Sequence, residues 1–145
     1  MSEENKTLAR RVLEEVFNEG NLDVVDEIFA QDYVHHDPTM PEEGHGREHM
    51  KEFASMYRSA FPDVRIEIED QIAEGDKVVS RWVASGTHEG DLMGIAPTGN
   101  RVTVVGTTIE RIADGQIAET WDNYDALGMM RQLGAIPSPE QQAQG

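Results

Sequence analysis

The hydrophobic period of this chain changes once, from the helical value of about 3.6 residues to the strand value of two. Before the change, apolar residues recur at helical spacing in three segments, which end at Gly20, at a polar loop and at Pro62. The pattern predicts helices over residues 5–18, 21–29 and 47–60. Residues 32–46 are predicted to form a polar loop between the second and third helices.

From Val64 onward, apolar and polar residues alternate, which is typical of strands with one buried face. Turn signals at residues 74–76 and at Asp114–Gly115 separate the alternating segments. The strands are therefore predicted over residues 64–69, 77–88, 101–113 and 116–124.

Three helices followed by four strands predict an α+β domain in which the helices cover one face of an antiparallel sheet. Strong bending of that sheet would enclose a hollow interior. The expected fold is a cone-shaped α+β barrel, with three N-terminal helices packed on a strongly bent, mostly antiparallel sheet. A short amphipathic segment around Met130 closes this domain, which is expected to span residues 1–136. Residues 137–145 are predicted to be a flexible C-terminal tail.

Composition narrows the classes of partner. The 145 residues suit one domain with a sizeable core, and the net charge of -16 argues against nucleic acid and anionic membranes. The absence of cysteine excludes disulfides and thiolate chemistry. No apolar run is long enough to span a bilayer and the first residues are polar, so a cytoplasmic protein is expected.

The last predicted strand is unusually polar. Residues 119–125 carry three carboxylates, an amide and two aromatic side chains where aliphatic residues would be ordinary. Such a strand often lines a pocket, and a carboxylate held there can transfer protons. Asp122 is the candidate catalytic residue, although alternation also allows it to lie on the outer face. Asp125, at the strand end, is predicted to cap the following helix.

The five histidines receive different interpretations. His35 and His36 are adjacent and point in opposite directions, so at most one faces a cavity, and His36 is favoured as the residue that assists Asp122. Their spacing is a weak signal for a metal site, and no metal is predicted. His88 could orient a substrate or hold its loop in place. His45 and His49 are expected to be solvated.

Large apolar side chains could line the same cavity or simply fill the core. Trp121, beside Asp122, is expected to face the cavity or its rim. The other candidates for contact with a substrate are Phe17, Phe53, Tyr57 and Trp82.

Several short motifs, in this order and spacing, resemble the SnoaL-like polyketide cyclase family. They are Gly86–Gly90, Gly94–Gly99, Asp114–Ile117, Trp121–Asp122 and Leu127–Gly134. The resemblance covers residues 5–134 and implies the cone of nuclear transport factor two-like proteins, with an interior site for a small molecule. It also implies a homodimer that forms through the open sheet face. The acid/base chemistry considered for such a site requires no metal or organic cofactor.

In the cyclase members of that family, an aspartate on the last strand acts as acid and base in an intramolecular aldol closure of a polyketide ester. The matching residue is Asp122, eight positions after the hairpin residue Asp114. A histidine on the preceding strand accompanies that aspartate in those enzymes. The matching position is Thr108, which departs from the pattern and becomes a candidate for substrate contact.

Three functional hypotheses remain open from the sequence. The first is an enzyme that performs acid/base chemistry, of the cyclase or isomerase type, on a small and largely apolar carbonyl compound. The second is a module that binds such a ligand without converting it, which the departure at Thr108 favours. The third is an oligomerisation domain whose cavity is packed with side chains.

Overall fold

The helices and strands follow the change in hydrophobic period along the chain. The computed structural model describes residues 2–135. Its helices are α1 (Ser2–Arg11), α2 (Asp23–Ile28), α3 (Gly46–Ala60) and α4 (Ala126–Gln132), and a π-helical segment, Val12–Asn18, continues α1. Its strands are β1 (Phe29–His36), β2 (Gly44–His45), β3 (Arg65–Glu74), β4 (Lys77–Thr87), β5 (Arg101–Ala113) and β6 (Gln116–Tyr124).

The six strands form one curved sheet in the order β2-β1-β6-β5-β4-β3. Every neighbouring pair is antiparallel except β1 and β6, which run parallel. The β5–β6 hairpin turns at Asp114 and Gly115, with φ angles of 52° and 74°. Positive φ at both central residues is what a tight hairpin requires and what an Asp-Gly pair tolerates. The predicted α+β class and the mostly antiparallel sheet are confirmed.

The predicted loop over residues 32–46 is wrong in its first part, which belongs to strand β1. This strand pairs with β6 in a parallel register that places His35 opposite Thr120 and His36 opposite Trp121. Four of its eight residues, Gln31, Asp32, His35 and His36, are polar, so the strand lacks the apolar alternation on which the prediction was based. Asp125, in contrast, caps α4 as predicted, because its side chain accepts a hydrogen bond from Gly128 N.

The helical layer packs against the concave face of the sheet. The π-helical segment buries Val12, Leu13, Val16 and Phe17. Arg58 Nη1, from α3, donates to the carbonyl oxygens at the end of this segment, at 2.6 and 2.9 Å. These bonds satisfy carbonyls that a helix end leaves unpaired and join the helices into one layer over the sheet.

The expectations about membrane spans, the C-terminal tail and the dimer face concern features outside the packed core. Among residues 2–135, no helix is long and apolar enough to cross a membrane. The predicted tail, residues 137–145, lies outside the described residues. On the outer side of the sheet, Ile72 and Val105 are more than half exposed. The homodimer expected through this face stays a prediction.

Asn18 provides a sharp test of how the helical layer is attached to edge strand β3. Its Nδ2 donates to Ile66 O at 2.9 Å and its Oδ1 accepts from Ile66 N at 2.6 Å. We expect Asn18→Ala to lower the free energy of unfolding by about 1–3 kcal/mol, because both backbone groups lose their partner. Urea denaturation measures this change. The exposed Asn21→Ala control should shift it by less than about 0.5 kcal/mol, and equal effects of the two variants would contradict the assignment.

Candidate active site

A cavity lies between the helical layer and the concave face of the sheet. The cavity has a volume of about 110 Å³, which is room for several water molecules or a small ring system. Most of its wall is apolar, and its polar groups lie mainly on the final hairpin and on two tyrosines. Six residues singled out in the sequence line it: Phe17, Phe53, Tyr57, Trp82, Thr108 and Asp122.

The β5–β6 register places Thr108 directly opposite Asp122 on the cavity side. Thr108 Oγ1 donates to Asp122 Oδ1 at 2.6 Å, and Trp82 Nε1 donates to Thr108 Oγ1 at 2.9 Å. The direction of both bonds is fixed, because an indole N–H can only donate and a threonine hydroxyl carries a single hydrogen. Asp122 Oδ1 must therefore be an acceptor in this arrangement.

Gly106 makes the position of Trp82 possible. A Cβ at residue 106 would lie only 2.4 Å from the Trp82 ring. Gly106 and Trp82 are opposite one another in the β4–β5 register, so the indole lies flat over the glycine. The indole N–H reaches Thr108 from this position, so a side chain at residue 106 would displace the ring that makes this bond.

The other oxygen of Asp122 is bonded to His35. The distance from His35 Nε2 to Asp122 Oδ2 is 2.7 Å, and His35 Nδ1 lies 2.8 Å from His49 Nε2. His35 is fully buried, whereas His49 is only partly buried. Burial lowers the pKa of His49, and the neighbouring His35 lowers it further. The expectation that His49 is solvated is wrong, since it ends a chain of three titratable groups that begins at Asp122.

The expectation that His36, rather than His35, faces the cavity is wrong. His36 points to the other side of the sheet, where its Nε2 contacts Glu119 Oε2 at 2.6 Å. Its ring stacks on Trp121 at 5.3 Å, and neither residue lines the cavity. Trp121 and His36 line a second, more open pocket that Asp122 also borders, so a place for Trp121 at the rim of the site stays a prediction. Side chains do alternate along β1, as expected. Which of the two histidines points into the cavity depends on how β1 pairs with β6, and this pairing is a tertiary contact that the sequence does not reveal.

His88 is also corrected, because it does not line the cavity. Its side chain is fully buried, and its Nδ1 accepts from Thr98 N at 3.2 Å. Its backbone bonds to Asn100 and Gly99 across the base of the same loop. His88 therefore holds the loop that connects β4 and β5, which is the structural alternative considered for it.

A directed chain of hydroxyl groups reaches the cavity beside Asp122. Thr39 Oγ1 donates to Asp37 Oδ1 at 2.7 Å, so it must accept from the Tyr124 hydroxyl, 2.9 Å away. Tyr124 then accepts from the Tyr57 hydroxyl, also at 2.9 Å. Burial raises the pKa of both tyrosines, which keeps them protonated. Tyr57, the first link, can redirect its proton to a ligand at the cost of one hydrogen bond.

Glu110 is a cavity residue that the sequence analysis did not single out. It is only 3% exposed and pairs with Thr120 in the β5–β6 register, one step along the hairpin from Asp122. Burial raises the pKa of Glu110 to about 8, and the charge of Asp122 contributes to the rise. The sequence could have identified Glu110, because it lies two residues after Thr108 on β5 and side chains two residues apart lie on the same face of a strand.

His35, Asp37 and Asp122 each offer one ligating atom, and these atoms lie within 4.8 Å of one another. Two ligands around a tetrahedral ion with bonds of ~2.0 Å would be separated by about 3.3 Å. The 2.7 Å between His35 Nε2 and Asp122 Oδ2 is shorter and suits a shared proton. Coordination by this group would require that hydrogen bond to be broken.

The buried Glu110 predicts a pH-dependent stability. With a pKa of about 8 in the folded state against 4.5 when exposed, Glu110 favours folding below pH 4.5. This contribution is lost as the pH rises through 8. We expect Glu110→Gln to lose less stability than the wild type between pH 5 and pH 8.5. The difference should reach several kcal/mol, at most about 4 kcal/mol over this pH interval. Urea unfolding at both pH values measures it, and parallel pH profiles would contradict the assignment.

Comparison with known proteins agrees with this architecture. The sequence pattern of the SnoaL-like polyketide cyclase family matches residues 7–133. The nogalonic acid methyl ester cyclase of Streptomyces nogalater is 35% identical over 122 residues, which are 81% of this chain and 89% of the relative. The aklanonic acid methyl ester cyclase of Streptomyces peucetius is 31% identical over 140 residues, which are 92% of this chain and 93% of the relative.

Among solved structures, a candidate SnoaL-like polyketide cyclase from Jannaschia superposes with a TM-score of 0.86 at 26% identity. The match covers 94% of this chain and 95% of that structure. Family pattern, relatives and fold agree over nearly the whole described chain. The chain belongs to the SnoaL-like polyketide cyclase family.

Proposed function

We propose that this protein binds a small, largely apolar carbonyl compound in its interior cavity and catalyses acid/base chemistry on it through Asp122. The observation that carries the proposal is the setting of Asp122. Its carboxylate borders an otherwise mainly apolar cavity and is held by Thr108 on one oxygen and His35 on the other. A carboxylate oriented from both sides is preorganised to accept a proton from a bound molecule.

The reaction that fits is the closure of a ring without a cofactor. Asp122 would remove a proton from the carbon next to a carbonyl, and the resulting enolate carbon would attack a second carbonyl of the same molecule. The protonated Asp122 would then return the proton to the new alkoxide, so that the reaction is a net isomerisation. Two curated relatives are named as methyl ester cyclases, which supports a keto ester as the substrate class.

His35 would supply the imidazole that the family resemblance expects at position 108. Thr108 occupies that position and serves as a hydrogen-bond donor to Asp122 Oδ1. The imidazole reaches the same carboxylate from the other side, on β1 instead of β5. Because His35 also contacts His49, a proton on Asp122 has a hydrogen-bonded connection to a partly exposed group. With Thr108 in place of the expected histidine, Asp122 would still have an imidazole partner, which approaches from β1 instead of β5.

Tyr57 would polarise the carbonyl group. Its hydroxyl lines the cavity and its proton can turn from Tyr124 to a ligand oxygen. A donor that stays protonated stabilises the negative charge that develops on an enolate oxygen. Asp122 and Tyr57 would thus act on the two ends of the same enolisable unit.

Binding without turnover is the second candidate function, and Thr108 in place of the family histidine is the observation that favours it. Exchange of hydrogen for deuterium separates the two candidates, because it detects removal of the proton even when the natural substrate is unknown. A methyl ketone such as 2-acetylnaphthalene exchanges its methyl protons in D₂O only when a base removes them.

We expect the wild-type protein to accelerate this exchange, and to convert nogalonic acid methyl ester if the cavity admits it. Asp122→Asn should reduce the exchange rate by about 10²–10⁴-fold while the protein remains folded. Asp125→Asn is the matched control, because asparagine also caps helices and Asp125 lies outside the cavity lining. NMR measures exchange and circular dichroism measures folding. Undiminished exchange in Asp122→Asn would exclude catalysis through this residue.

The adjacent histidines give a second test, since they point to opposite faces of the sheet. We expect His35→Asn to slow exchange by about tenfold to a hundredfold, because Asp122 loses the partner of its second oxygen. His36→Asn, on the outer face, should change the rate less than twofold. Equal rates in the two variants would show that the hydrogen bond between His35 and Asp122 has no part in proton transfer.

A further inference from the structure

Glu110 is a buried carboxyl group without a basic partner. It lines the cavity at 3% exposure, and within residues 2–135 it forms no ion pair. No lysine, arginine or histidine is found among the described residues of the cavity wall. Burying such a group is costly unless something pairs with it, so its presence in a wall of apolar side chains requires an explanation.

The hydroxyl groups beside Glu110 are closed off from the cavity. Thr120, opposite Glu110 on β6, and Tyr33 on β1 have fully buried hydroxyl oxygens without a well-aligned hydrogen-bond partner in the described structure. Thr120 is close to both neighbours and lowers the pKa of Tyr33 and of Glu110. A ligand in the cavity can therefore reach Glu110, which lines it, but neither of these two hydroxyl oxygens.

We propose that Glu110 forms a second polar binding site in the cavity, where its neutral carboxyl group donates a hydrogen bond to a carbonyl or ester oxygen of an uncharged ligand. This proposal rests on the proposed ligand-binding role of the cavity, but not on turnover at Asp122. Thr120 and Glu110 lie one register step from Asp122 on the same face, about 7 Å along the strands. The reacting carbonyl and the second oxygen would therefore belong to different parts of one ligand.

The charges around the site determine the class of ligand. Besides Glu110, the titratable groups that line the cavity are Asp122 and Tyr124 on β6 and Tyr57 on α3, and the fully buried Tyr33 on β1 lies outside the lining. Strand β4 places Val78 opposite Glu110. An anionic ligand would meet two carboxyl groups and no cation, whereas a neutral ester would meet hydrogen-bond donors. The site should thus prefer an ester to the corresponding free acid.

Three probes of similar shape test this site: methyl 2-naphthoate, 2-naphthoate and 2-isopropylnaphthalene. They are a neutral ester, an anion and a hydrocarbon without an acceptor oxygen. Fluorescence titration at pH 6 should give the wild type at least tenfold higher affinity for the ester than for the anion. Glu110→Met, which keeps an extended side chain but removes the donor, should weaken ester binding by about tenfold. It should change hydrocarbon binding less than twofold.

The pH dependence supplies a second readout. Since the pKa of Glu110 is about 8, ester affinity of the wild type should be constant from pH 5.5 to 7 and should fall above pH 8. Glu110→Gln, which cannot ionise and retains an N–H donor, should bind the ester about as tightly as the wild type at pH 6, with no fall above pH 8.

Equal losses of ester and hydrocarbon in Glu110→Met would overturn the proposal, as would a pH-independent wild type or the absence of ester binding. A crystal structure of the ester complex with only water at Glu110 would also overturn it. These outcomes are separate from those for the proposed function. Loss of exchange in Asp122→Asn together with unchanged ester affinity in Glu110→Met would retain the catalytic proposal and reject this one.

Discussion

The parallel pairing of β1 with β6 is the constraint on which the site depends. It is the one parallel contact in the described sheet, and it joins residues 87 positions apart at the bond between His35 and Asp122. The β5–β6 hairpin by itself brings only Thr108 to that carboxylate. A shift of one residue in the β1 register would turn His36 inward and His35 outward, because side chains alternate along a strand. The site is therefore specified by strand pairing as much as by residue identity.

The sequence predicted those parts of the fold that local rules determine. Strands β5 and β6 match the predicted bounds, because regular alternation and an Asp-Gly turn fix a hairpin without distant contacts. Strand β1 was missed because its polar residues satisfy neither the helical nor the strand pattern. The inward residue of the His35–His36 pair could not be chosen from the sequence, since that choice depends on a partner strand about 80 residues later.

Thr108 and Glu110 differ in how the family motifs point to them. The family pattern expects a histidine at position 108, so Thr108 looks like the loss of a catalytic partner. In the structure Thr108 accepts a hydrogen bond from Trp82 and donates one to Asp122, and Gly106 leaves room for the indole. Glu110 has no counterpart in the motifs that carry the resemblance, although strand parity alone places it on the same wall.

Two carboxyl groups on one face of a hairpin can have opposite functions when their surroundings differ. Asp122 has a hydroxyl donor on one oxygen and an imidazole on the other, which fixes the orientation of its carboxyl group toward the cavity. Glu110 has burial and a neighbouring carboxylate, which raise its pKa and suit the neutral form and the work of a donor. In the roles proposed for them, Asp122 would accept a proton and Glu110 would donate a hydrogen bond to an uncharged ligand, and neither role requires a cation in the described cavity wall.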